Sequence, residues 1–252
     1  MAGNESPDFL IKLAGGLPES DLAEAFDRDN RLQIPGILDE PSADAIYDSL
    51  ANFRHWNLVF NKSGTHVDIN AADVSAWPQG ERDTLEEIIH SQAADNFQYY
   101  YETVPIYDVY HKALLPGHFI NRIFEFLNSD EFLGLMRIVT GDNSIAFADA
   151  QATCYKRGHF LTRHDDDVSE KSRRAAYVLN LSRNWNPDWG GALQFFDAND
   201  NVECGYVPTF NALNLFRIPA SHSVGLVAPF AKSSRYSITG WLRSGQDPMR
   251  AS

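Results

Sequence analysis

The sequence predicts an α+β chain in which a helical N-terminal half packs against a C-terminal antiparallel β-sandwich or barrel. Through about residue 140, apolar residues recur at helical spacing. From Ile145 onward the pattern changes to short β-rich runs separated by polar turns. No internal repeat, low-complexity tract or linker divides the 252 residues. One domain is therefore expected over 1–252, with 1–144 as a mainly helical support and 145–245 as the β-core.

A polar arm leads to a short helix around residues 22–26, then to a strand and turn over 32–37, broken by Pro35-Gly36. Ser42 is placed to cap a helix reaching Phe53, with Ala45, Ile46, Leu50 and Phe53 on one face. Residues 56–67 read as a hairpin about Lys62-Ser63-Gly64, and 68–80 as loop. Helix returns over 81–101 with a stripe of Leu85, Ile88 and Ile89. Tyr99-Tyr100-Tyr101 would end that helix, either packing or lining a ligand groove. Two amphipathic helices follow over 120–127 and 131–139, the second ended by Gly141. Strands are then expected over 145–155, 176–181, 192–196, 202–207, 212–217, 223–227 and 236–242.

Composition narrows the function. A formal charge of -13 repels phosphate backbones, which argues against nucleic acid as a partner. The basic cluster at 171–174 is too short to reverse this and reads as a solvated turn. No apolar run is long enough to cross a bilayer, and the polar, acidic start lacks a secretory pattern. Two cysteines, Cys154 and Cys204, lie far apart in no metal or redox spacing. A reduced, cytoplasmic chain without a membrane partner is expected, with Cys154 as a small core residue.

Chemistry concentrates at His164-Asp165-Asp166. Alternate residues of a strand share a face, so His164 and Asp166 would project together. An imidazole and a carboxylate side by side are two of the three ligands of a facial triad, which holds non-haem Fe(II) and leaves positions open. The third ligand should lie on a later strand, and His222 is the best placed. His55, His66, His90 and His111 sit on helix or loop, His118 begins a helix, and His159 lies in the Gly158 turn; each reads as a surface or packing residue. Arg235, Ser237, Thr239 and Trp241 alternate and so share one face. An inward arginine is unfavourable unless it meets an anion, and its planar fork suits a carboxylate. Ser237 or Thr239 could add a hydroxyl.

In this order, Tyr155…His164-x-Asp166…His222…Arg235-x-Ser237, the chain resembles the Fe(II)- and 2-oxoglutarate-dependent dioxygenases. Ala152-Thr153-Cys154-Tyr155, residues 180–185, Gly190-Gly191-Ala192-Leu193 and the run from Arg235 to Trp241 are similar to the oxygen-sensing and ribosomal-protein prolyl hydroxylases. The resemblance covers about residues 150–243 and implies a double-stranded β-helix, or jelly roll. It implies that His164, Asp166 and His222 bind Fe(II) and that Arg235 pairs with the distal carboxylate of 2-oxoglutarate. Tyr155, Ser237 and Asn180 would belong to the same pocket. Relatives often carry a second tyrosine where this chain has Asn180, so the pocket would be wider. Dioxygen is the implied second cosubstrate, and ascorbate a candidate addition.

The implied reaction hydroxylates a prolyl residue in a peptide or protein while 2-oxoglutarate is decarboxylated to succinate. One alternative is the same chemistry on a free amino acid or small metabolite, with Arg163 or Arg217 as a clamp. The other is a non-catalytic barrel that binds 2-oxoglutarate or a partner. Val178, Leu213, Leu215 and Val224 would keep the site dry, and Trp241 would wall it. Residues 56–76 and 167–174 are candidate lids.

Overall fold

The computed structural model describes residues 9–167 and 172–250. The first half contains α1 (Glu19–Asp29), β1 (Arg31–Pro35), α2 (Glu40–Asn52), β2 (Asn57–Lys62), β3 (Thr65–Asn70), α3 (Ala71–Ser75) and α4 (Gln79–Ala93). It continues through β4 (Tyr99–Val104), α5 (Ile106–His111), α6 (Ile120–Leu127) and α7 (Asp130–Thr140). The second half is β5 (Ile145–Ala148), β6 (Gln151–Tyr155), β7 (Phe160–His164), β8 (Arg173–Asn180), β9 (Leu193–Phe196), β10 (Val202–Tyr206), β11 (Ala212–Arg217), β12 (His222–Val224) and β13 (Arg235–Ser244). No helix among the described residues is long and apolar enough to cross a membrane.

The strands pair in the order β1-β11-β8-β13-β6-β4-β7-β12-β9-β10 and curl into a nearly closed, jelly-roll-like barrel. β5 pairs with β13, and the β2–β3 hairpin joins through β4. Every pairing is antiparallel among the described residues. β8 explains the layering. Ala175, Tyr177 and Leu179 turn outward into a core shared with Ile46, Leu50, Ile123, Phe132 and Met136 of the helices. Ala176 and Val178 turn inward to meet Tyr155, Phe195, Phe216 and Val224. A strand covered on both faces needs apolar residues at both parities, which is what β8 carries. Each large side chain buried between helices and sheet contributes roughly 1.5–3 kcal/mol.

Several local expectations are met. The hairpin turns at Ser63 and Gly64, both with positive φ (52° and 86°), the geometry that two-residue hairpin loops favour. Gly141 ends α7 in the left-handed region. Others need correction. Asp39, not Ser42, caps α2: its side chain accepts from the Ser42 N–H at 2.9 Å. Residues 71–75, expected as loop, form α3 behind an Asn70 cap. Tyr99-Tyr100-Tyr101 does not end a helix but opens β4, a strand inserted between β6 and β7. Leu213 and Leu215 face the helices rather than the barrel interior.

β13 passes close to the segment between β5 and β6. A Cβ on Gly240 would lie 2.0 Å from the Asp149 carbonyl oxygen and 2.8 Å from the Tyr177 hydroxyl. Backbone cannot yield cheaply there. Gly240→Ala is expected to destabilise the fold by about 3 kcal/mol, read from a urea unfolding curve against the parent.

Candidate active site

β7 and β12 run antiparallel and set His222 opposite His164, with ring centroids 4.1 Å apart. β7 stops at His164, so Asp166 is not carried by strand alternation as the sequence suggested. Its backbone instead enters the left-handed region, at φ 63°. That turn swings the carboxylate back: Oδ1 lies 3.5 Å from His164 Nε2 and Oδ2 lies 3.4 Å from His222 Nε2. Aspartate tolerates this backbone better than most residues. One candidate ligand atom from each of the three falls within 4.8 Å of the others.

The second nitrogen of each ring sets its chemistry. His164 Nδ1 donates to the Thr162 carbonyl at 2.9 Å and His222 Nδ1 to the Ala220 carbonyl at 2.7 Å. A carbonyl only accepts, so Nδ1 of each ring carries a proton and Nε2 is the atom each ring turns toward the carboxylate. Burial, with the neighbouring His164 ring, lowers His222 to about 4 and keeps it neutral.

Arg173 was not singled out in the sequence, where 171–174 read as a solvated turn. Position 171 lies outside the described residues, but Arg173 opens β8 with its side chain buried against the site. Its Nη1 donates to the Asp166 carbonyl at 3.0 Å and lies 3.8 Å from Oδ1. Its guanidinium stacks 3.4 Å above the Trp241 ring.

The three residues share a cavity of about 210 Å³ with Arg235. Ala176, Val178, Leu193, Phe216 and Val224 supply apolar walls, and Trp241 borders it as expected. Arg235 is 1% exposed and lies 4.9 Å over the Tyr155 ring. Its Nη1 donates to Ser237 Oγ at 3.3 Å, and that hydroxyl pairs with Thr153 Oγ1 at 2.7 Å. Its Nε has no partner, and no carboxylate pairs with it among the described residues. Desolvation lowers its pKa, the mark of a buried cation awaiting an anion. Tyr155 stacks on Tyr101 at 4.9 Å, and burial pushes Tyr101 up to about 12 and Tyr155 higher, so both stay phenols. Asn180 faces Ser237 across β8 and β13 and is fully buried; its amide donates to the carbonyls of Val178 and Ala212, leaving Oδ1 without a partner. Thr153 is a member to which the sequence assigns no role, and Tyr101 lines the cavity, the groove alternative for the tyrosine run.

Residues 150–243 match the family model described as the 2OG-Fe(II) oxygenase superfamily. The segment belongs to that superfamily. The chain is also similar to the prolyl 3-hydroxylase OGFOD1 of Mus musculus, at 29% identity over 120 residues, covering 45% of this chain and 22% of that protein. It spans about a fifth of the length of the curated relatives it matches. Two solved structures share the fold. A Pseudomonas putida prolyl-4-hydroxylase has a TM-score of 0.54 at 17% identity, covering 94% of this chain and 99% of that one. A Trichoplax adhaerens prolyl hydroxylase, in complex with a peptide fragment of the hypoxia inducible factor oxygen degradation domain, has a TM-score of 0.59 at 18% identity, covering 92% and 91%.

The oxygenase domain fits both groups its superfamily implies. Two imidazoles and one carboxylate form a donor set suited to Fe(II). The unpaired, buried guanidinium suits one carboxylate of 2-oxoglutarate.

Proposed function

We propose that this chain is an Fe(II)- and 2-oxoglutarate-dependent dioxygenase that hydroxylates a prolyl residue in a peptide or protein, converting 2-oxoglutarate to succinate. The observation that carries this is the convergence on a single cavity of two imidazoles, one carboxylate and one buried guanidinium with no carboxylate partner among the described residues. When bound, Fe(II) supplies the dioxygen chemistry that couples oxidation of the 2-oxo acid to oxidation of a substrate C–H bond.

The protein's own residues do the remainder. His164, Asp166 and His222 hold the metal, and the carbonyls of Thr162 and Ala220 fix the two rings. Arg235 receives the far carboxylate of 2-oxoglutarate beside Ser237 and Thr153, while Tyr155 and Tyr101 close one side. Asn180 sits opposite Ser237 across β8 and β13 but does not line the cavity. The apolar walls exclude water. Trp241, held flat by Arg173, offers a face on which a pyrrolidine ring can stack. The names of the relative and of both structural neighbours support a prolyl substrate, and one neighbour holds a peptide. Both cysteines are free, which supports placement in the reducing cytoplasm.

The test supplies Fe(II), 2-oxoglutarate and proline-containing peptides, with and without ascorbate. Succinate release stimulated by a peptide, with one oxygen added to its proline, is expected. Amino-acid analysis then separates the 3- from the 4-hydroxy product. Succinate release that no prolyl peptide stimulates would exclude the substrate class.

Arg173 adds a separate expectation. By gripping the Asp166 carbonyl it holds the left-handed turn that aims the carboxylate. Arg173→Leu is expected to weaken Mn(II) binding about tenfold, measured by titration without cosubstrate. Unchanged affinity would limit Arg173 to packing on Trp241.

A further inference from the structure

A second polar cavity lies on the other side of β4 from the oxygenase site. Side chains alternate along β4: Tyr99 and Tyr101 line the first cavity, whereas Tyr100 and Glu102 line the second. The second encloses about 400 Å³ between β2, α3, α4, the turn after β6 and residues 231–234. Arg82, Lys156, Arg157 and Lys232 gather there against Glu86 and Glu102, in a chain whose net charge is -13. A cationic concavity on an anionic protein concentrates anions. Among the described residues, the exposed Lys232 has no polar partner and Arg157 is tied only through Nε, to the Ala231 carbonyl at 2.7 Å.

The buried part of the lining has the opposite need. Glu102 is 5% exposed; its Oε1 accepts from Lys156 Nζ at 2.5 Å, and its Oε2 has no partner. His159 is 4% exposed, 4.5 Å from the Tyr100 ring, and engages the backbone of Cys154, while its Nδ1 has no partner. Burial lowers this ring to about 3, so it is neutral. With its single proton spent on the Cys154 carbonyl, Nδ1 can only accept. Two buried acceptor atoms thus lack donors, while Arg157 and Lys232 have no carboxylate partner among the described residues.

We infer that this cavity binds a small organic acid that also carries hydroxyl or amino groups, its acid on Arg157 and Lys232 and its donors on Glu102 and His159. The site is independent of the oxygenase reading. It is nonetheless built on the same strands, since Lys156 follows Tyr155 and Ser234 precedes Arg235.

Isothermal titration of the full chain, saturated with 2-oxoglutarate and Mn(II), tests this with three probe sets. These are free amino acids and hydroxy acids, the same acids lacking the amino or hydroxyl group, and inorganic phosphate. At least one member of the first set is expected to bind about tenfold more tightly than its stripped counterpart. The double variant Arg157→Glu, Lys232→Glu should abolish that binding, and His159→Phe should weaken it about tenfold, with 2-oxoglutarate affinity unchanged in both. Failure of every first-set probe, equal binding of a stripped acid or phosphate, or binding that survives the double variant would each overturn the assignment.

Discussion

Asp166→Ala is expected to reduce peptide-stimulated succinate formation by about a thousandfold or more, equivalent to about 4 kcal/mol, while the protein still folds. The activity loss follows from the geometry. Asp166 alone touches both histidines, at 3.5 and 3.4 Å, and supplies the only anionic donor of the three. Two imidazoles without it hold a divalent ion weakly. The fold survives because the residue ends no strand pairing and lies beyond β7. Alanine at a φ of 63° costs roughly 1–2 kcal/mol, and Arg173 keeps its bond to the carbonyl of residue 166. Turnover, Mn(II) titration and an unfolding curve on the same preparation separate the two effects. A variant that hydroxylates at the parent rate would show that the metal lies elsewhere.

Arg235→Met is expected to raise the KM for 2-oxoglutarate about a hundredfold, while the folded state becomes no less stable than the parent's. The second half of that expectation distinguishes a binding role from a structural one. Arg235 is 1% exposed and unpaired with any carboxylate among the described residues. Replacing such a cation by an apolar chain of similar length removes a desolvation penalty, and comparable swaps are neutral or stabilising by about 1–4 kcal/mol. Methionine also keeps an apolar stem beside Gly191, where the Arg235 Cδ now lies. Cosubstrate, in contrast, loses its charged partner in a dry cavity. Arg235→Lys should recover part of the affinity, because charge returns without the planar fork. If KM is unchanged and stability falls, the guanidinium is a core strut and the cosubstrate site must be sought elsewhere.

How legible this site was depends on how local its signals are. His164, Asp166, His222 and Arg235 could be named from the sequence because their order along the chain is specific in combination, although each motif is common alone. The barrel was legible because its strands are short, apolar and punctuated by turns. β4 was not. The helical stripe of α4 runs almost into Tyr99, and what makes these tyrosines a strand is pairing with β6 and β7, more than 45 residues away in the sequence. Arg173 was missed for the same reason. Its importance comes from Trp241, a residue on the neighbouring strand, and no local pattern announces a stack across β8 and β13. Asp166 does lie beside His164, but a left-handed turn rather than strand alternation does the aiming.

That turn also makes the trio unequal in evolutionary terms. The two histidines are locked by strand register, so changing either disturbs a ladder as well as a ligand. Position 166 sits where glycine is the most comfortable residue of all. A single substitution there could surrender the carboxylate, vacate a place for an anion drawn from solution, and leave the scaffold as sound as before. Of the three candidate ligands, the acidic one is where a lineage built on this barrel has most freedom to acquire new chemistry.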